Sequence, residues 1–197
     1  MFPNLELIGG KVPKETITDL EYALLGLLSA APMSGYDLKK AFATALSRFS
    51  SSSGGLYPAL RRLEQRGLLV ARIEREGELR ARRLYRLTEA GTAALDAWIR
   101  QPIDQEMVAR RLDLVLLRFV FLEGRGTRAE AIAFLEQLKH QVVHYLSRLE
   151  AQMESLKAVA TLHQRLAAQN GVEGYRRQLE WVEYALAELR SAERKPS

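Results

Sequence analysis

The chain contains no cysteine. Disulfides, thiolate zinc sites and cysteine nucleophiles are thereby excluded, and a reducing, cytoplasmic setting is the expectation. Long apolar runs are missing too, since none approaches the ~20 residues that cross a bilayer. The opening MFPNLELIGGKVPKE lacks the basic-then-apolar order of a secretory signal. Catalytic signatures are equally scarce: no Gly-rich phosphate loop follows a strand, and there is no nucleophile elbow or recognisable carboxylate pair. Gly9-Gly10 and Gly54-Gly55 fit no nucleotide fingerprint. His140 and His144 stand at i, i+4, a spacing that can hold a metal, but no HExxH surrounds them. Isolated surface histidine pairs far outnumber metal sites, so no metal, no cofactor and no enzymatic activity are expected. What is present is a 47% hydrophobic content over 197 residues, enough for a real core in one domain or two small ones.

Acidic residues are thin in one place. Residues 54–87 carry nine Arg against four Glu, whereas the segments on either side balance. The whole net charge of +5 therefore sits within about a sixth of the chain. A basic excess this local is an electrostatic footprint for a polyanion. Every cation in it is arginine, whose planar fork suits phosphate and guanine. The plainer alternative is a solvated charged face in which acids happen to be sparse.

Residues 1–17, with two prolines and Gly9-Gly10, read as an N-terminal arm. Thr18 and Glu21 form a capping-box pattern for a first helix, with Leu20, Ala23, Leu24, Leu27 and Leu28 on one stripe. Ala31-Pro32 stops it. Ser34 can cap a second helix with Leu38, Ala41, Phe42 and Ala45 inward. The serine run before Gly54-Gly55 starts a third near Gly54, which buries Leu56, Leu60 and Leu63, tolerates Pro58 in its first turn and ends at Gly67. The period then changes: Leu69, Ala71 and Ile73, and later Arg83, Tyr85 and Leu87, alternate with outward residues around Glu76-Gly77-Glu78, a β-hairpin. Thr88 caps a fourth helix reaching about Arg100. Residues 18–101 thus read as a winged helix-turn-helix.

Residues 102–197 read as helical throughout. One helix is expected over 104–122, with Leu112, Val115, Leu116, Phe119 and Val120 inside. Thr127 opens a long one, whose seam is Leu135, Leu138, Val142, Tyr145, Leu149, Gln152, Leu156 and Ala160. After Asn170-Gly171, Tyr175, Leu179, Val182, Leu186 and Leu189 repeat the spacing. Such periodicity implies coiled-coil packing, either between these helices or with another chain. The fold class is therefore mainly α: a winged helix-turn-helix plus an all-α C-terminal dimerisation domain.

In a helix-turn-helix the second helix of the pair enters the major groove with its N-terminal residues leading. Its candidates are Gly54, Tyr57, Pro58, Arg61 and Arg62, with Ser52 and Ser53 at the helix start as a phosphate cradle. Arg62 lies about 100° round the helix from Arg61 and suits an acid or the backbone better than a base. Arg75, Arg80 and Arg82 lie toward the hairpin tip, where groove or phosphate contact is normal for a wing. Lys39 and Lys40 are candidate phosphate contacts on the second helix. Leu135, Leu138, Val142, Tyr145, Leu149, Leu179, Val182 and Leu186 are the dimerisation candidates. Trp98, Trp181 and Tyr184 could line an effector pocket, although rings at helical spacing are more often core.

Several motifs arrive in register over residues 20–100. Tyr22-Ala23-Leu24-Leu25-Gly26-Leu27-Leu28, Pro32-Met33-Ser34-Gly35-Tyr36-Asp37-Leu38 and Ser53-Gly54-Gly55-Leu56-Tyr57-Pro58-Ala59-Leu60 resemble the PadR family of bacterial transcriptional regulators. So does Arg82-Arg83-Leu84-Tyr85-Arg86-Leu87-Thr88-Glu89-Ala90-Gly91. The helical remainder is similar, in length and pattern, to the longer C-terminal domain of one subfamily and of related virulence-gene activators. The resemblance implies a homodimer, usually a repressor, on a pseudo-palindromic double-stranded DNA operator, relieved by a small-molecule effector. It also implies an N-terminal arm that reaches toward the partner. An activator of the same fold, or a winged-helix module for protein–protein assembly, remains the alternative.

Overall fold

The structure is a computed structural model; it describes residues 16–45, 55–76 and 80–191, with the side chains at 45, 75, 76, 80 and 81 outside the description. The arm's residues 1–15, Ser52, Ser53, Gly54 and the hairpin turn at 77–79 lie outside the described residues. Helix α1 (Asp19–Ala30) opens as expected: the Thr18 hydroxyl accepts from the Glu21 N–H, and the Glu21 carboxylate accepts from the Thr18 N–H. After Ala31 the chain runs extended through a two-residue strand, β1 (Met33–Ser34). Helix α2 (Gly35–Ala45) follows, with the Ser34 hydroxyl accepting from the Asp37 N–H. Helix α3 (Leu56–Gln65) buries Leu56, Ala59, Leu60 and Leu63, and Gly67 takes the left-handed φ of 69° that closes it.

Strands β2 (Leu69–Glu76) and β3 (Arg80–Leu87) form the antiparallel hairpin in a register that pairs Leu69 with Leu87 and Ala71 with Tyr85. Strand β1, too short to announce itself in the sequence, pairs its Met33 with Tyr85 on the other edge of β3. Leu69 and Tyr85 are buried, but Ile73, expected inward, is 71% exposed because the hairpin has by then run beyond the helices beneath it. Helix α4 (Glu89–Ile99), capped by Thr88, packs against α1, where Trp98 stacks on Tyr22 at 4.7 Å and 8°.

The single helix expected over 104–122 is two: α5 (Gln105–Arg110) and α6 (Leu112–Leu122), broken at Arg111 with φ −137° and ψ 36°. The break turns α6 so that Leu114, Val115, Leu117, Arg118, Phe121 and Leu122 face inward, while Val120 is exposed. Apolarity nearly all round α6 hid that choice. Helix α7 (Arg128–Leu156) starts in a capping box of Thr127 and Glu130, and α8 (Leu162–Ser191) starts at Thr161, which Gln164 caps in the same reciprocal way. The turn between them is at 157–161, and α8 continues through Asn170-Gly171, where a break was expected. The two helices form an antiparallel pair, laced by Lys139–Glu183, Arg176–Glu150 and Arg190–Glu136.

That pairing decides the fate of the seam. Leu135, Leu138, Val142, Val182 and Leu186 are buried inside one chain; Tyr145, Leu149 and Leu179 are partly buried. These side chains hold α7 to α8, so their apolar surface is already used before any partner arrives. Of the rest of the seam, Gln152 and Leu156 are exposed and Ala160 lies past the helix end. Uncovered apolar surface lies instead at the tip of the pair, on Leu156, Val159, Leu162 and Leu166.

Candidate nucleic-acid interface

Helix α3 is held by its inner leucines and by one buried acid. Glu21 of α1 is only 1% exposed, and its carboxylate meets Arg62 Nε at 2.7 Å and Arg66 Nη1 at 3.7 Å. Arg62 and Arg66 are thus tied across the α1–α3 contact, although Arg62 stays 44% exposed. Arg62 was a candidate for DNA contact; the geometry commits its Nε to Glu21, in keeping with its place 100° round the helix. Arg61 is exposed too, but no described residue offers it an ion pair or hydrogen bond. Pro58 and Tyr57 share the outer surface, with Tyr57 at 56% exposure.

A second contact fixes the wing against this helix. The Arg83 guanidinium of β3 donates from Nη2 to both carboxylate oxygens of Glu64 on α3, at 2.8 and 2.6 Å, and lies 5.5 Å from the centre of the Tyr85 ring. The Glu64 hydrogen bond is the main reason that Arg83 holds its proton above the ordinary arginine range. Between wing and helix lies an open cleft of about 650 Å³, bordered by Ser34, Tyr36, Asp37, Tyr57, Arg82 and Tyr85. Gly35 lets the Tyr57 ring lie close beside it, because a Cβ there would be 2.8 Å from Tyr57 Cε1. Asp37 is kept well ionised, first by the Ser34 hydroxyl at 2.6 Å and then by the charges of Arg82 and Lys40.

Tyr36 stands in this cleft at 72% exposure and was not among the residues expected from sequence. The signal was available: with Leu38 and Phe42 inward, position 36 must face out, and a large exposed aromatic ring is unusual enough to notice. Lys39 and Lys40 are exposed on the same helix. Arg75 and Arg80 lie at the far end of the hairpin, paired across from Ala81 and Glu76, and their side chains are outside the description. The cleft and α3 therefore bring together Tyr36, Tyr57, Pro58, Arg61 and Arg82, while Arg62, still 44% exposed, is tied by its Nε to Glu21.

The three rings considered for an effector pocket lie on two helices, Trp98 on α4 and Trp181 with Tyr184 on α8. Trp98 is buried against Tyr22, Trp181 meets Phe119 edge-on at 6.1 Å, and Tyr184 is exposed. His140 and His144 are both exposed on α7, and among the described residues no group of three or more His, Asp or Glu could hold a metal. No helix among the described residues is long and apolar enough to cross a membrane.

Comparison with known proteins places this geometry. Residues 24–97 match the transcriptional regulator PadR-like family, and residues 113–190 match the virulence activator alpha C-terminal family. The negative transcriptional regulator PadR of Bacillus subtilis is 31% identical over 144 residues, 72% of this chain and 76% of that one. A transcriptional regulator of Mycobacterium tuberculosis is 59% identical over 44 residues, 22% of this chain and 40% of its own length. Among solved structures, Bacillus subtilis PadR in complex with operator DNA is 28% identical, covering 87% of this chain and 99% of that one, with a TM-score of 0.42. The same protein in complex with p-coumaric acid gives 26% identity, 88% and 99% coverage, and a TM-score of 0.40. A winged helix with its basic surface concentrated on α3 and the hairpin, followed by a helical C-terminal half, thus belongs to the PadR-like family of transcriptional regulators.

Proposed function

We propose that this regulator binds double-stranded operator DNA as a homodimer, represses transcription, and is released by a small-molecule effector. The carrying observation is that Arg61, on the exposed side of α3, has no described partner within the chain while its neighbours Arg62 and Arg66 are paired to Glu21. An arginine left unpaired beside Tyr57 and Pro58 has its whole fork available for a base edge or phosphate. Tyr57, Arg82, Lys39 and Lys40 would position the backbone, with Ser52, Ser53 and Gly54 at the helix start and Arg75 and Arg80 at the wing tip. The 31% identical relative is a negative regulator that has been crystallised with operator DNA and with p-coumaric acid, which favours repression and an aromatic acid as the effector class.

Residues 18–101 would be the DNA-binding unit and residues 102–197 the dimerisation unit. The exposed Leu156, Val159, Leu162 and Leu166 at the α7–α8 tip offer a second copy an apolar contact that the buried seam does not. A dimer would set two α3 helices about one DNA turn, ~34 Å, apart on a pseudo-palindromic operator. Selection of bound sequences from a random DNA library tests this directly. An inverted repeat is the expected product, with affinity falling steeply as salt is raised. Recovery of no enriched sequence, or binding indifferent to salt, would rule the reading out.

A further inference from the structure

Arg118 is the one arginine among the described residues with no solvent exposure at all. It sits on α6, yet every strong bond it makes is to the end of α4: Nε and Nη2 donate to the Ile99 carbonyl at 3.2 and 3.0 Å, and Nη2 also donates to the Gln101 carbonyl. Its remaining nitrogen, Nη1, lies 4.0 Å from Met107 Sδ of α5, and the guanidinium carbon lies 5.5 Å from the ring centre of Phe134 on α7. No described acid pairs with it. Four helices therefore meet at one buried cation.

The last carbonyls of a helix have no partner inside it, and a positive group there also answers the helix dipole. Arg118 supplies both to α4, the helix that continues directly from the wing through Thr88. Around it the two halves are also joined by a half-buried pair, Arg125–Asp96 at 2.9 Å, and by an exposed pair, Arg100–Glu130 at 3.0 Å, the latter a weak contact in water. The apolar side of the joint is close: a Cβ at Gly26 of α1 would lie 2.0 Å from Phe121 Cε2 of α6. Stability alone does not account for a charge in this place, because replacing a buried charged group by a hydrophobic residue of similar volume is often neutral or favourable. What the fork does, and an apolar side chain cannot, is fix direction: two carbonyls at the end of α4 accept from one rigid plane on α6.

We propose that Arg118 is a positioning residue that locks the winged helix at one angle on the C-terminal helices, and so dictates the half-site spacing a dimer accepts. The inference rests on the operator-binding reading above. Its test uses the full chain and three DNAs: a single half-site, the selected two-half-site operator, and that operator with one base pair inserted between the halves. One inserted pair moves the second half-site by ~3.4 Å and turns it by roughly 34°, so a rigid wild-type dimer is expected to lose about tenfold or more in affinity. For Arg118→Met the expected loss is less than about threefold, with half-site affinity within about twofold of wild type. An unchanged insertion penalty in a folded Arg118→Met protein overturns the proposal. So does a fall in half-site affinity as large as the fall on the full operator, which would mark Arg118 as a plain stability residue. Should the Met variant melt below the assay temperature, Arg118→Lys keeps the charge but not the fork, and the same penalty ratio decides. Wild-type protein that bound none of the three DNAs would refute the operator reading itself and take this inference with it.

Discussion

Arg61 and Arg62 are neighbours in sequence on one short helix, and the structure assigns them opposite consequences when truncated. Arg62→Ala removes the 2.7 Å partner of Glu21, a carboxylate 1% exposed. A buried pair broken from one side costs ~3–5 kcal/mol when the remaining charge is stranded. Here the loss is smaller. Arg66 still stands at 3.7 Å, the Thr18 N–H still donates at 2.8 Å, and the departing Arg62 is 44% exposed, so part of its interaction was already screened. About 1–2 kcal/mol remains, which for a chain of this size lowers the melting temperature by roughly 2–8 °C. Arg61→Ala breaks no ion pair or hydrogen bond among the described residues, so its stability change falls within about 0.5 kcal/mol. Its cost appears on DNA, as ~1–3 kcal/mol if the fork meets a base, together with relaxed sequence preference at one position. Thermal unfolding followed by circular dichroism, paired with fluorescence anisotropy on the selected operator, measures both quantities on the same preparations. An Arg62→Ala protein as stable as wild type would refute the role given to Glu21. An Arg61→Ala protein that binds and discriminates like wild type would refute the groove assignment.

Other substitutions probe the joints of the fold. Gly91→Ala would set a Cβ 2.0 Å from the Leu68 carbonyl oxygen, a backbone atom that cannot step aside, whereas Gly67→Ala meets open space and pays only for its φ of 69°. Denaturant titration should therefore give about 1 kcal/mol for Gly67→Ala and a clearly larger loss for Gly91→Ala. Leu162→Glu with Leu166→Glu should convert a dimer to a folded monomer in sedimentation velocity; an unchanged mass would move the interface elsewhere. Glu130 is held below the ordinary glutamate range, first by the Thr127 N–H and then by Arg100. A carboxylate lowered by folding contributes stability above its unfolded pKa and loses it as pH falls through the folded one. Melting temperature should accordingly drop below about pH 4.5, and Glu130→Gln should flatten that drop, which a pH series of thermal melts checks.

Local chemistry carried the legible part. Capping at Thr18, Ser34, Thr88 and Thr127, the left-handed Gly67, and the switch from helical to alternating period all depend on residues within a few positions of one another. Those signals, with the arginine surplus in 54–87, were enough to name a winged helix. Where the reading strayed, the cause was distance along the chain. Strand β1 exists because β3 offers it an edge fifty residues later. The break at Arg111 and the face α6 buries depend on what α4 and α7 present, because apolar residues nearly encircle that helix.

By itself, then, the sequence determined most of the element types, the winged-helix order, the family and the place where positive charge accumulates. Tertiary structure alone decided how that charge is divided. Glu21, Glu64 and the carbonyls of Ile99 and Gln101 each claim an arginine from elsewhere in the chain, and what they leave unclaimed is the surface available to DNA. It likewise decided that the heptad seam closes within one chain, since a periodic stripe specifies that a helix will pair but not with which partner. Periodicity and capping are properties of neighbouring residues; the pairing of charges and faces is a property of distances that only the folded chain sets.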